Sequence, residues 1–189
     1  GVNGVGKTTT SIKLAAALAK QGKRVLLVDA DPQANTSSGL GVDIQQLDNT
    51  VYECLINGID PTTAVLPTSI DGLFVMPSHI DLVGAEIEML SMENRERILK
   101  GVLAPLRSQY DYILIDCSPS LGLITINALT ASDSIIIPVQ CEFFALEGLG
   151  KLLQTIRLVQ GGVNPDLTIE GFVVTMFDGR TKVHNQVLG

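Results

Sequence analysis

Apolar positions along the chain fall into two alternating textures. "RVLLVDAD" (24–31), "GLFVMPS" (72–78), "YDYILIDC" (110–117), "DSIIIPVQ" (133–140) and "LTIEGFVVTMF" (167–177) are short, nearly unbroken apolar runs. Such runs suit strands buried on both faces. Between them lie "KTTTSIKLAAALAKQG" (7–22), with apolar spacing near 3.6, and the helix-like runs "LVGAEIEML" (82–90), "NRERILKGVLAPLR" (94–107), "LGLITINALTAS" (121–132) and "ALEGLGKLLQTIRLVQ" (145–160). These read as helices, the first stopped by Gly22. The tail "TKVHNQVLG" (181–189) reads as the start of another, and 32–49, rich in Gly, Ser, Asn and Gln, as a connection. The alternation predicts an α/β fold, a doubly wound, mostly parallel sheet with helices on both faces, forming one domain over 1–189.

Composition narrows the picture slightly. The 189 residues are 46% hydrophobic but only 4% aromatic, with no Trp, so the core is built from Leu, Ile, Val and Ala. The formal net charge of -7 does not favour nucleic-acid binding, which rests on Lys and Arg neutralising phosphates. Cys54, Cys117 and Cys141 match no zinc spacing, and an odd count does not suggest a disulfide framework. Cys117 and Cys141 adjoin apolar runs and read as small buried side chains. No apolar run reaches the roughly 18 residues of a membrane span, and no secretory leader is recognisable. These features lead to the expectation of a cytoplasmic protein.

The chemistry begins at "GVNGVGKTTT" (1–10), which fits the phosphate-loop pattern G-x-x-x-x-G-K-[ST] through Gly1, Gly6, Lys7 and Thr8. Gly4 and Gly6 let backbone N–H groups close around phosphate oxygens. Lys7 is placed to reach the terminal phosphates, Thr8 to offer its hydroxyl to Mg²⁺, and the following helix aims its N-terminus at the same anion. The nucleotide-binding set is Asn3, Gly4, Val5, Gly6, Lys7, Thr8 and Thr9. Asp29 and Asp31 end one strand run and Asp116 ends another; carboxylates at the carboxyl ends of parallel strands lie on the ligand edge of the sheet. Period-two spacing puts Asp29 and Asp31 on one side. Asp116 has the form of an acid that holds Mg²⁺ directly or through water. Asp111 lies at the other end of its run and reads as solvated.

With these residues in view, the chain resembles the ParA/Soj family of partition ATPases, within the deviant phosphate-loop ATPases that include MinD. The shared stretches are "GVGKTTT", "RVLLVDADPQAN", "SSGLGV", "LVGAEIEML", "YDYILIDCSPSLGLITINALTASDSIIIPVQCEFFALEGL" and "IEGFVVTMFDGRT". The resemblance implies an ATP hydrolase that takes ATP and Mg²⁺. It implies an ATP-dependent homodimer with nucleotide at the interface, non-specific DNA binding on the nucleoid, and a ParB-type partner that stimulates hydrolysis. It does not imply a membrane partner. By this resemblance Lys7 is the loop lysine and Asp31 orients the attacking water, the catalytic pair. Thr8, Asp116 and the nearby Asp29 form the metal side, and Arg180 in "FDGRT" contacts DNA.

Two departures stand out. The family loop reads K-G-G-V-G-K-T, and its first lysine reaches the partner's nucleotide; Val2 and Asn3 stand there instead. That opening also resembles signal-recognition-type GTPases, although "DCSPS" replaces their D-T-A-G-R segment and "TKVH" lacks the Asp of T-K-x-D. A MinD-like membrane-cycling ATPase is a further alternative. The resemblance also leads one to expect a central strand ahead of Gly1, and more strands, helices and basic surface after Gly189.

Overall fold

The computed structural model describes residues 5–118, 120–140 and 145–175. The elements run α1 (Val5–Lys20), β1 (Val25–Ala30), α2 (Asn35–Gly39), α3 (Val51–Ile56), β2 (Leu66–Pro67), β3 (Leu73–Met76), α4 (Leu82–Glu88), α5 (Ile98–Leu103), β4 (Tyr112–Cys117), α6 (Leu123–Ala131), β5 (Ser134–Gln140), α7 (Ala145–Gly161) and β6 (Thr168–Thr175). All five apolar runs form strands and all five helix-like runs form helices, so the fold is α/β with a mostly parallel arrangement. The tail 181–189 lies outside the described residues.

One four-stranded sheet has the order β2-β3-β1-β4, and β5 pairs with β6 separately. β1 runs parallel to both β3 and β4, while the two-residue β2 is antiparallel to β3. β1 is buried at every position. Its side chains alternate between two cores, as the pleat requires. Leu26, Val28 and Ala30 join Val51, Leu55, Leu82, Leu99 and Ile124 from the helices on one face. Val25 and Leu27 join Leu73 and the small Ala15 and Ala19 of α1 on the other. A third cluster, with Ile137, Val139, Ile156, Val159 and Leu167, fastens α7 to the β5–β6 pair.

The described strands form two separate sheets; the resemblance led to the expectation of a further, central strand ahead of Gly1. Among the described residues, no strand pairs with the outer edge of β4 or with the free edge of β5. A cavity of about 470 Å³ lies between them, lined by Ile113, Ile115 and Cys117 of β4, Ile135, Ile136 and Pro138 of β5, and Lys7, Ser11 and Leu14 of α1. The two halves meet through α1, which packs against β5, and through α6 and its ends. Asn164 Nδ2 donates to the carbonyls of Leu129 and Ser132, and Arg107 pairs with Asp133 at 2.9 Å.

Two further differences from the sequence expectation have local causes. The stretch 32–49 is not wholly irregular, because Ala34 turns at φ 52° and α2 follows. α3 was not anticipated, although its start is a capping box. The Thr50 side chain accepts from Tyr52 N at 3.1 Å, while Glu53 Oε2 accepts from Thr50 N at 2.7 Å. Gly22, at φ 79°, ends α1 as expected, and its N–H donates to Ala19 O.

Thr50→Ala should destabilise the chain by about 1 kcal/mol through loss of this cap. Leu26→Ala, at a fully buried position, should destabilise it by about 2–5 kcal/mol. Urea unfolding of the two variants checks the order; a cap variant as damaging as the core variant would contradict this division of the fold.

Candidate functional site

The pleat of β1 decides where its acid points. Asp29 continues the row of Val25 and Leu27, so it faces α1 rather than the opposite core. On β4, Leu114 belongs to the same α1-side core, and Asp116 continues its row. The β1–β4 register pairs Leu27 with Leu114 and Asp29 with Asp116. Two carboxylates thus end adjacent strands side by side, on the α1 face. Asp29 is fully buried and Asp116 is 7% exposed.

Burying paired acids is unfavourable unless donors satisfy them, and the neighbouring segments supply donors. Asp29 Oδ2 accepts from Ser37 N at 2.8 Å and Ser37 Oγ at 2.6 Å, and Oδ1 accepts from Asp31 N at 3.2 Å. Burial still pushes the Asp29 carboxyl up to about 6, against the lowering effect of these bonds. Asp116 Oδ2 accepts from Thr36 Oγ1 at 2.5 Å. Burial holds Asp116 above the ordinary carboxylate value, while hydrogen bonds from Thr36, Ser11 and Thr8 oppose it. The first turns of α1 therefore reach the acid of β4 through two hydroxyls one turn apart.

Lys7 completes the cluster. Burial lowers its pKa, and the nearby Cys117, Asp116 and Asp31 act in the opposite direction. Asp31 follows β1 in the loop, half-buried, and its Oδ1 accepts from Gln33 N at 2.9 Å. Ala34 N donates to Asp31 O, and Ser78 N, beyond β3, donates to Ser37 Oγ at 3.1 Å. The loop carrying Asp31 is thus tied to Asp29 at its start and again through Ser37.

Of the residues singled out in the sequence, Lys7, Thr8, Asp29, Asp31 and Asp116 come together. Val5, Gly6 and Thr9 lie in the opening turns of α1. Asn3, Gly4 and Arg180, with Val2, lie outside the described residues, as does Cys141. Asp29 was expected on the metal side; its two oxygens are engaged by Asp31 and Ser37. Sequence reasoning missed Ser11, Thr36 and Ser37. Ser11 was findable, lying one turn after Thr8 on a helix whose phase was read correctly; Thr36 and Ser37 sat in a stretch read only as a connection.

Cys117 is half-buried rather than enclosed, since it lines the cavity beside β4. Its thiol is pushed up to about 11 by burial, and Cys54 likewise to about 11, so neither is a thiolate nucleophile at neutral pH. Among the described residues, no group of three or more His, Cys, Asp or Glu is placed to hold a metal. A hydroxyl beside one carboxylate fits a hard cation carried mainly by phosphates and water, the usual state of Mg²⁺, rather than a protein cage. No helix among the described residues is long and apolar enough to cross a membrane.

Asp29 gives the site a definite pH signature. Between its ordinary value of 3.8 and about 6, the folded chain holds a proton on Asp29 that the unfolded chain has released. Stability therefore falls as pH rises through that window, and Asp116, also shifted upward, acts in the same direction. We predict that nucleotide-free protein resists urea better near about pH 4.5 than near about pH 7, and that Asp29→Asn shrinks this difference. Equal pH slopes for the two proteins would show that Asp29 does not carry it.

Comparison with known proteins identifies the family. A family described as an AAA domain matches residues 2–169. The sporulation initiation inhibitor protein Soj of Bacillus subtilis is 55% identical over 185 residues, covering 98% of this chain and 73% of that protein. The chromosome partitioning protein ParA of Myxococcus xanthus is 52% identical over 185 residues, covering 98% of this chain and 65% of that one. Among solved structures, one described as cobyrinic acid a,c-diamide synthase from Mycobacterium smegmatis, with bound ADP and magnesium, superposes with TM-score 0.93 at 44% identity, over 98% of this chain and 76% of that one. The resemblance read from the motifs is borne out: this chain belongs to the ParA/Soj family of chromosome-partitioning ATPases.

Proposed function

We propose that the chain is the nucleotide-switched core of a partition ATPase that binds ATP with Mg²⁺, closes as a homodimer and hydrolyses ATP slowly. The observation that carries this reading is the convergence of Thr8, Lys7, Asp31 and Asp116 on one sheet edge, under the N-terminal turns of α1. Thr8 and Asp116 are the metal-side pair. Bound Mg²⁺ neutralises charge on the phosphate oxygens. Lys7 supplies a fixed cation for the terminal phosphates, and its buried surroundings strengthen that attraction. Asp31 orients the attacking water with its carboxylate. Asp29, with its oxygens spent on Asp31 N and Ser37, sets the position of the loop that carries Asp31.

The remaining parts of the proposal rest on family membership. Asn3 and Gly4 complete the phosphate loop. A central strand ahead of Gly1 would fit between β4 and β5, whose facing edges and the cavity between them support it. Arg180 contributes to non-specific DNA binding on the nucleoid, and a ParB-type protein stimulates turnover. Val2, standing where the family has its cross-dimer lysine, leaves less positive charge at the partner's nucleotide and so slows turnover and weakens the dimer. The signal-recognition alternative rests on the opening residues alone, whereas the relatives match along nearly the whole chain.

ATP should compete for labelled ATP better than GTP when Mg²⁺ is present; equal or better competition by GTP would overturn the ATPase reading. Asp31→Ala, in the intact protein, should keep ATP binding and slow hydrolysis by about 10²–10⁴-fold. Loss of binding with an unchanged rate per occupied site would make Asp31 a ligand instead of a water-orienting residue.

A further inference from the structure

The segment that follows Asp116 is held by a residue that the nucleotide site does not account for. α6 begins at Leu123, and its N-cap, Gly122, has no side chain with which to satisfy the first N–H groups. Glu86 of α4 does so from outside, with its Oε1 accepting from Ile124 N at 3.1 Å. The carboxylate lies so close to Gly122 that a Cβ there would sit 2.7 Å from Glu86 Cδ and nearer still to both oxygens. Gly122 is thus a place of close approach, not a hinge: its φ of -84° is open to any residue. From the helix side, Thr125 Oγ1 donates to Ser118 O at 3.2 Å and also to Ser120 O. The path from Asp116 to α6 is therefore pinned twice, by Thr125 from within α6 and by Glu86 from another helix.

α4 is itself anchored. Leu82, Ala85 and Met89 are buried in the main core. At its far end Glu88 accepts from the Tyr52 hydroxyl at 2.9 Å. Glu86 therefore projects from a fixed base, and its negative charge at the positive end of α6 is favourable.

We propose that Glu86 is a positioning residue for ATP hydrolysis. It clasps the N-terminus of α6 and so fixes the segment after Asp116 against the nucleotide, with Gly122 conserving the space the clasp needs. This rests on the ATPase reading above. A sub-ångström to ångström displacement of this segment would misplace Asp116 with no loss of a phosphate-binding group, so the effect belongs in turnover more than in binding.

The test uses Glu86→Ala, Glu86→Gln and Gly122→Ala in the intact protein. Measurements are kcat and KM for ATP, hydrogen exchange at the Ile124 amide, and the urea midpoint. Glu86→Ala and Gly122→Ala should lower kcat by about 10- to 100-fold while KM stays within about threefold, and should speed exchange at Ile124. Glu86→Gln keeps an acceptor oxygen and should retain at least about half of the wild-type rate, with slow exchange. If Glu86→Ala speeds exchange yet leaves kcat unchanged, the clasp is structural only and the proposal is wrong. It is also wrong if Glu86→Gln loses as much rate as Glu86→Ala, or if the loss of rate is matched by the unfolded fraction under assay conditions, extrapolated from the urea curves. A wild-type protein that does not hydrolyse ATP would defeat the ATPase reading instead, and the exchange rates would still report whether the clasp exists.

Discussion

The β1–β4 register is the constraint on which the rest depends. Pairing Asp29 with Asp116 sets two carboxylates side by side at the ends of buried strands. Neither is tolerable there without donors, because an unsatisfied buried acid is far more unfavourable than an ordinary hydrogen bond is favourable. The donors come from three places: the loop after β1, the short α2, and the opening turns of α1. The loop and α2 are tied down by what the acids require, whereas α1 is also held by its apolar packing on the sheet. Thr36 and Ser37 are buried polar residues in a short helix of five, too short to hold itself. They stay where they are because Asp116 and Asp29 bind them.

α1 shows how packing and polarity are matched along one helix. Toward its C-terminal end, Ala15 and Ala19 lie against Val25, Leu27 and Leu73. Their small side chains let the helix approach the sheet closely. Gly39 extends that economy, since a Cβ there would meet Ile12 Cδ1 at 2.8 Å. Toward the N-terminal end the same stripe turns polar, with Ser11 and Thr8 meeting Asp116 where the strand row ends in a carboxylate. The helix therefore changes chemistry in step with the strands beneath it. Bulkier residues at positions 15 and 19 would lift it and take both hydroxyls out of reach.

Much of this was legible in the sequence, for reasons that also explain what was not. Strands buried on both faces read as unbroken apolar runs, and Asp29 and Asp116 were visible as acids closing two of them. The phosphate-loop lysine and threonine were visible from spacing alone. The register that sets one acid opposite the other was not, because it is fixed by strand pairing across more than eighty residues. Thr36 looked like a loop residue because its partner Asp116 is eighty residues away, and Ser37, only eight residues from Asp29, because it lies in no apolar run. Glu86 was invisible because, on a helix with a mixed face, a lone glutamate reads as solvated. The capping box at Thr50 and Glu53 was local, and could have been read.

β4 carries Asp116 and is laddered to β1, and its end is also held from outside the sheet. Side chains on its row toward the main core, such as Ile113 and Ile115, also line the cavity beside β5. The position of the strand's end is also set by what grips it there. The grips are polar and directional: Thr36, Ser11 and Thr8 on the carboxylate itself, Thr125 on the carbonyls beyond it, and Glu86 on the helix that follows. Apolar packing tolerates sliding, whereas hydrogen bonds to a buried acid do not. Fixing the end of β4 by hydrogen bonds from four separate segments makes the geometry of its acid depend on all of them together.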